Sequence, residues 1–354
     1  MPKTIAITPS WYWPAHVPRV VGVPPFGVYE LFVERRARRD PAGLALVGDG
    51  GRLTNAELAS QVRAWAADPE SAGAVLDGPP TVGDAVAVLG ALTRGAPFVL
   101  PETRAVPGRE RTETLTGPVL GLDAGGTTVW HSQRSLVAGA LSFGAFLLLE
   151  GDRPWLSTFQ FDSWEGILGL LVPLAAGAPV VLDAPGEPAL EAIAREGVGY
   201  ALTDLPSAFA ATRDAKREVK SARGTLASLL LAVTGVFDAD QRRRVGRLFE
   251  CPALTVFGAA ETGPVFAAHP SWYVDEAVGI PVTNAHVVPV DPRSGVPVAT
   301  LWELVESAMV TVFSPQLCIG YEGGAHPERF CDGRFVTGMN ASSDANGMIY
   351  LLPE

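Results

Sequence analysis

Lysine is almost missing from this 354-residue chain: of 27 basic residues only Lys3, Lys216 and Lys220 are lysines, the rest being arginine. Chemistry that relies on a lysine point charge at a phosphate therefore has few candidates. Cysteine is scarce too. Cys251, Cys318 and Cys331 are odd in number and lack CxxC spacing, which argues against a disulfide framework or a zinc knuckle and leaves buried or idle thiols. No long basic run exists and the formal net charge is -11, so nucleic acid is an unsuitable partner. Apolar runs such as 167–174 and 229–233 fall far short of the ~20 residues of a membrane span. His16, His131, His269, His286 and His326 form no HxH or HxxxH pair, which speaks against a metal site. The N-terminus has no basic region followed by an apolar stretch and a cleavage site, so a cytoplasmic location is expected.

What is present is apolar and patterned. Hydrophobic residues make up 47% of the sequence and the mean hydropathy is +0.21, enough for one large core or a few subdomains with shared interfaces. Residues 1–27 carry Trp11, Tyr12, Trp13 and six prolines and read as an extended arm packing onto the body. A helix is expected over 28–39, ended by Asp40-Pro41, followed by strand 44–47, the turn Gly48-Asp49-Gly50-Gly51, strand Leu53-Thr54 and a helix over 55–67. Short apolar strands then alternate with helical windows, at 85–89, 98–100, 119–121, 180–182, 200–203, 229–234 and 253–257. That alternation predicts an α/β fold with helix-covered, mainly parallel sheets. Past residue 277 the Gly-, Pro- and Val-rich segments 279–281, 286–290, 302–305 and 313–321 suggest a small β subdomain. The expected division is 1–27, 28–135, 136–276 and 277–354. Residues 140–144, ALSFG, lack the first glycine of a nucleophile elbow and read as helix.

Five segments in order, GRLTNAEL at 51–58, FDSWE at 161–165, FGAAETGP at 257–264, SPQLCIGY at 314–321 and GRFVTGM at 333–339, resemble motifs of the adenylate-forming superfamily, which includes acyl-CoA synthetases, nonribosomal peptide adenylation domains and luciferases. The resemblance runs from about Tyr29 to the last residue. It implies two helix-covered sheets and a small β-barrel-like subdomain, with ATP and an acid bound where they meet, and a mobile C-terminal domain carrying a catalytic lysine. The sequence ends short of that domain, so the domain and its lysine are expected to be absent.

The same resemblance exposes departures. The family's phosphate loop, rich in Gly, Ser and Thr and ending in a lysine and glycine, is shortened to Gly125-Gly126-Thr127-Thr128 before Val129-Trp130-His131, leaving at most a shallow anion nest. The threonine that contacts phosphate is replaced by Ala260, the adenine-packing aromatic becomes Phe257 beside Gly258, and the ribose-gripping aspartate aligns with Met339. Glu261 keeps the position of a magnesium ligand, with a loop-anchoring role as the alternative. Asp344 follows nearby but aligns with a turn. On the acid side Asp162 matches an aspartate that pairs with a substrate ammonium, and its alternative is a helix N-cap with Glu165 three residues on. Trp164, Val233, Thr234, Gly235, Val236 and Ala259 would line that pocket or serve as plain core.

Two functions are expected from this pattern. The first is a protein that no longer adenylates and instead binds a small carboxylic or amino acid, an acyl or aminoacyl group, a carrier protein or a partner enzyme. The alternative is an active ligase or acyltransferase, completed in trans or independent of ATP. ATP and magnesium are cofactors only if the ancestral site still works.

Overall fold

The computed structural model of the chain describes residues 13–68, 74–111, 114–214, 216–299, 304–331 and 333–353. Lys3, Trp11, Tyr12 and the Trp302 end of the expected 302–305 strand lie outside them. The organising element is a nine-stranded sheet, ordered Ile280–Pro281, Gly263–Ala267, Ala253–Ala259, Ser228–Val233, Tyr200–Asp204, Trp155–Ser157, Val180–Leu182, Leu44–Gly48, Gly51–Thr54. From Ala253–Ala259 across to Leu44–Gly48 every pairing is parallel, and the pairings beyond them on both sides are antiparallel. The strands are short continuous apolar runs because helices cover them; Ser228–Val233 is buried at all six positions. This sheet takes strands from either side of residue 135.

A four-stranded sheet, Gly320–Tyr321, Thr128–Ser132, Pro118–Asp123 and Phe98–Val99, stands beside it. The third sheet lies mostly near the end of the chain and joins His286–Val290, Ala308–Phe313, Arg334–Ser343 and Phe330–Cys331, with Ile349–Leu351 added along Arg334–Ser343. The expected fold class is therefore met: α/β, helix-covered sheets and a β portion past residue 277. No helix among the described residues is long and apolar enough to cross a membrane.

One expected strand is a helix. Residues 85–89 lie inside Val82–Arg94, where Thr81 and Asp84 form a reciprocal capping box and Gly95 closes the other end at φ 74°. Nine buried positions in that helix explain the misleading apolar run. Residues 29–39 are helical as expected, but Tyr29–Glu34 is a π-helical turn leading into Arg35–Arg39. Residues 140–144 are helical, inside Gln133–Phe146. Ser142 there is buried and accepts a hydrogen bond from Asn284 Nδ2 at 2.8 Å, so it is no exposed nucleophile. In the N-terminal arm, Trp13 packs edge-on to Phe146 with centroids 6.1 Å apart, which seats the described part of the arm on the body.

The helix Ala239–Phe249 buries an arginine among apolar neighbours. Arg242 is 0% exposed, and its guanidinium donates to the carbonyls of Ala253 (2.7 Å), Val274 (2.9 Å), Asp275 (3.1 Å) and Ala277 (3.0 Å). Burial lowers its pKa to about 10, leaving it charged. Removing it would orphan several carbonyls at once, each costing about 1–3 kcal/mol. Arg242→Met is therefore expected to destabilise the protein by about 3 kcal/mol or more, read by urea denaturation; a loss under about 1 kcal/mol would contradict this.

His269 is buried and its pKa is pushed down to about 4 from 6.5. Unfolding restores the ordinary value, so between those limits the unfolded chain binds more protons and stability falls as pH drops. The thermal midpoint is expected to decline from pH 6.5 toward 4, and His269→Phe to decline less steeply. Equal slopes for the two proteins would refute this assignment.

Candidate active site

The site grows from the hairpin between Ala253–Ala259 and Gly263–Ala267. Its register slips between Phe257 and Gly258, bringing the strands so close that a Cβ on Gly258 would lie 2.1 Å from the Gly263 carbonyl oxygen. Only glycine fits there. The turn's carbonyls are then all taken. Ala259 O accepts from Thr262 N at 3.1 Å and Glu261 O from Cys318 N at 2.7 Å. Ala260 O accepts from His131 Nε2 at 2.6 Å, Thr262 O from Gln316 Nε2 at 2.9 Å, and Gly263 O from Thr262 Oγ1 at 2.8 Å. Gln316 Nε2 also reaches Pro264 O. Because a carbonyl can only accept, His131 carries its proton on Nε2, and burial lowers its pKa and keeps it neutral.

Next to this turn opens a cleft of about 610 Å³. It gathers Gly125, Asp162, Trp164, Thr234, Phe257, Gly258, Ala259, Ala260, Glu261 and Met339 of the expected site residues. Gly126, Thr127, Thr128, Val233, Gly235 and Val236 are not among its walls. Val233 ends a buried strand, and Val236 is 61% exposed. The glycine loop is a tight hairpin end: Gly126 N donates to Asp123 Oδ1 at 3.0 Å and Ala124 N to Thr127 O at 2.9 Å. The loop thus already holds a carboxylate of its own.

Asp162 is not the helix cap. Ser163 caps Trp164–Ala176, accepting from Gly166 N at 3.2 Å, so the capping box expected of Asp162 and Glu165 does not form. The helix starts one residue later because Ser163 also satisfies the Gln160 carbonyl, at 3.2 Å. Asp162 is exposed to the cleft and makes no hydrogen bond or ion pair among the described residues. Glu165 lines the same wall, its pKa raised by burial and, secondarily, by the charge of Asp162.

Glu261 is 7% exposed. Its Oε1 accepts from the Tyr321 hydroxyl at 2.7 Å and lies 3.4 Å from Arg329 Nη1. Burial foremost, then Glu261, raises the Tyr321 pKa above the ordinary phenol range. Met339 presents a thioether where the resemblance implies a carboxylate, and its amide donates to Thr337 Oγ1 at 3.0 Å. Asp344 is spent in its turn, accepting from Asn346 N at 2.8 Å and Met348 N at 3.0 Å.

Sequence reading missed Asp123, Glu165 and Arg329 as cleft residues. Asp123 immediately precedes the glycine loop and Glu165 follows Asp162 by three, so both had a local signal. Arg329 had none, reaching Glu261 across 68 positions. The cleft therefore carries four carboxylates, from Asp123, Asp162, Glu165 and Glu261, against the single guanidinium of Arg329, and no lysine is found among its described walls. A second, apolar cavity of about 50 Å³ shares Trp164 and Ala260 with the cleft and is bordered by His131, Leu168 and Gln316.

No curated protein matches the sequence. Solved structures do match the fold. VinN bound to L-aspartate superposes with TM-score 0.75 at 15% identity, covering 95% of this chain and 100% of that one. The o-succinylbenzoate coenzyme A synthetase MenE of Bacillus subtilis in complex with AMP superposes with TM-score 0.76 at 16% identity, covering 92% and 78%. Apo MatB of Rhodopseudomonas palustris gives TM-score 0.77 at 16% identity, with the same 92% and 78%. At these identities the likeness shows the fold. The family model described as AMP-binding enzyme matches residues 127–321, more than half of the sequence, and the chain belongs to that family.

Proposed function

We propose that this family member binds a small amino or carboxylic acid, or an acyl or aminoacyl group, in the cleft without adenylating it. The observation that carries the reading is the charge of the walls: four carboxylates face one guanidinium. A unit charge 4 Å from a like charge costs about 4 kcal/mol at an effective dielectric of 20, so a polyphosphate is disfavoured and an ammonium favoured. Other features point the same way. Ala260 has no hydroxyl to offer a phosphate, Met339 has no carboxylate for ribose hydroxyls, and the glycine loop is closed on Asp123. Asp162, exposed and unpaired, is the anchor for the ammonium of an amino acid. VinN, a structural neighbour, binds L-aspartate.

The cleft takes walls from the segments 28–135, 136–276 and 277–354, which we propose as the subdomains whose junction forms the site. An acid presented on a carrier protein or by a partner enzyme would enter through the same mouth. The reading of an active ligase is favoured by one observation: Phe257 and Glu261 remain in the cleft.

Isothermal titration separates the two. With ATP and magnesium no saturable heat is expected, whereas one or more members of a panel of amino and aryl acids should bind. Asp162→Asn should weaken an amino acid by about tenfold, the loss of one charge-assisted bond. Micromolar ATP binding, or acid-dependent exchange of pyrophosphate into ATP, would overturn the proposal in favour of the ligase.

The pH dependence follows from Glu165. Its free carboxyl has a raised pKa; an ammonium bound beside it favours the ionised form, so binding releases a proton and strengthens as pH rises through that raised value. Glu165→Gln is expected to flatten the dependence. An affinity for the same amino acid that falls with rising pH over the carboxylate range would contradict it.

A further inference from the structure

By the resemblance Glu261 keeps the position of a magnesium ligand, and the residues around it here do not suit one. Its Oε1 is already engaged by the Tyr321 hydroxyl and approached by Arg329. A carboxylate with so little exposure needs a counter-charge, and the chain supplies one itself.

The counter-charge is built in by local structure. The turn Pro327–Arg329 starts at His326, which adopts φ 52° and accepts from Arg329 N at 3.0 Å. The guanidinium then lies over the Phe335 ring, 5.9 Å from its centroid, with Nη1 3.4 Å from the Tyr321 hydroxyl oxygen. Nε and Nη2 have no partner among the described residues, and the side chain is 40% exposed and lines the cleft. A guanidinium held by one edge presents its remaining N–H groups as a fork suited to a planar oxyanion.

We propose that Arg329 stands where a divalent cation would otherwise neutralise Glu261, and that it receives the carboxylate of an amino acid whose ammonium faces Asp162, with no metal involved. This rests on the acid-binding reading for the identity of the ligand but not for the exclusion of metal. Arg329 is the sole cation on the described cleft walls, so a ligand carboxylate has no other side-chain charge to meet there.

Two titrations test it separately. Manganese followed by electron paramagnetic resonance should show no saturable binding to the wild type. Arg329→Ala, which leaves Glu261 without its counter-charge, should gain binding. Manganese bound by the wild type and lost in Glu261→Gln would overturn the proposal whatever the ligand. L-Aspartate and L-alanine are then titrated calorimetrically, with EDTA and with magnesium chloride. Whichever binds should do so equally in both buffers, and Arg329→Ala should weaken it by about tenfold or more, with Arg329→Lys intermediate. Binding that requires magnesium, or that ignores Arg329→Ala, would overturn the proposal. If the whole acid panel fails while manganese stays excluded, the acid-binding reading falls and the exchange of metal for arginine stands.

Discussion

The carbonyls of residues 259–264 belong to a largely buried turn, where an unpaired acceptor costs about 1–3 kcal/mol. Donors come from distant parts of the chain: His131 from Thr128–Ser132, and Gln316 and the Cys318 amide from the segment that leads into Gly320–Tyr321. Thr128–Ser132 and Gly320–Tyr321 are neighbours in the four-stranded sheet, so the turn locks that sheet to the nine-stranded one. Glu261 and Tyr321 inherit their positions from this lock. Glu261 is aimed by a turn whose backbone has nowhere else to go, and Tyr321 meets its carboxylate because Gly320–Tyr321 must pair beside Trp130 and Val129. The neutral His131 belongs to the same arrangement, a donor to the backbone with its proton fixed on one nitrogen.

Much of the fold could be read from residue order, and the exceptions have physical causes. Val180–Leu182 has the expected bounds, and the hairpin from Leu44 to Thr54 forms as its glycine turn demands. The 85–89 run failed because a fully buried helix and a buried strand share an apolar signature; the arbitrating sign was the Thr81 and Asp84 pair flanking it, with Gly95 beyond. Arg242 defied reading for another reason. Arginine three and seven residues before Val245 and Phe249 sits on their helix face, yet charge argues for solvent until four carbonyls from other segments are known to converge on it.

The candidate site was legible to a different degree. Motif order brought Asp162, Phe257, Glu261 and Met339 into consideration, and the cleft contains all four. The cap at Ser163 was hidden by a tie, since aspartate and serine are equally good caps and adjacent residues compete. Charge balance was the least legible property. Whether a cleft is acidic depends on which of 38 carboxylates and 27 basic groups fold toward it, and no local pattern announces Arg329.

The substitutions at the cleft share a direction. Where the resemblance implies threonine and aspartate, Ala260 and Met339 bring no polar side-chain oxygen to the cleft, and the glycine loop turns the Gly126 amide onto Asp123. Arg329 adds a single fixed charge where an exchangeable divalent ion would bring two. A bound metal draws phosphate oxygens into its own coordination shell, whereas a guanidinium offers a planar fork of hydrogen bonds and cannot dissociate. The retained features, an exposed aspartate on one wall and an arginine on another, match a ligand carrying one charge of each sign more closely than one carrying four negative charges. On the reading proposed above, a cleft with these walls would favour the acid over the nucleotide.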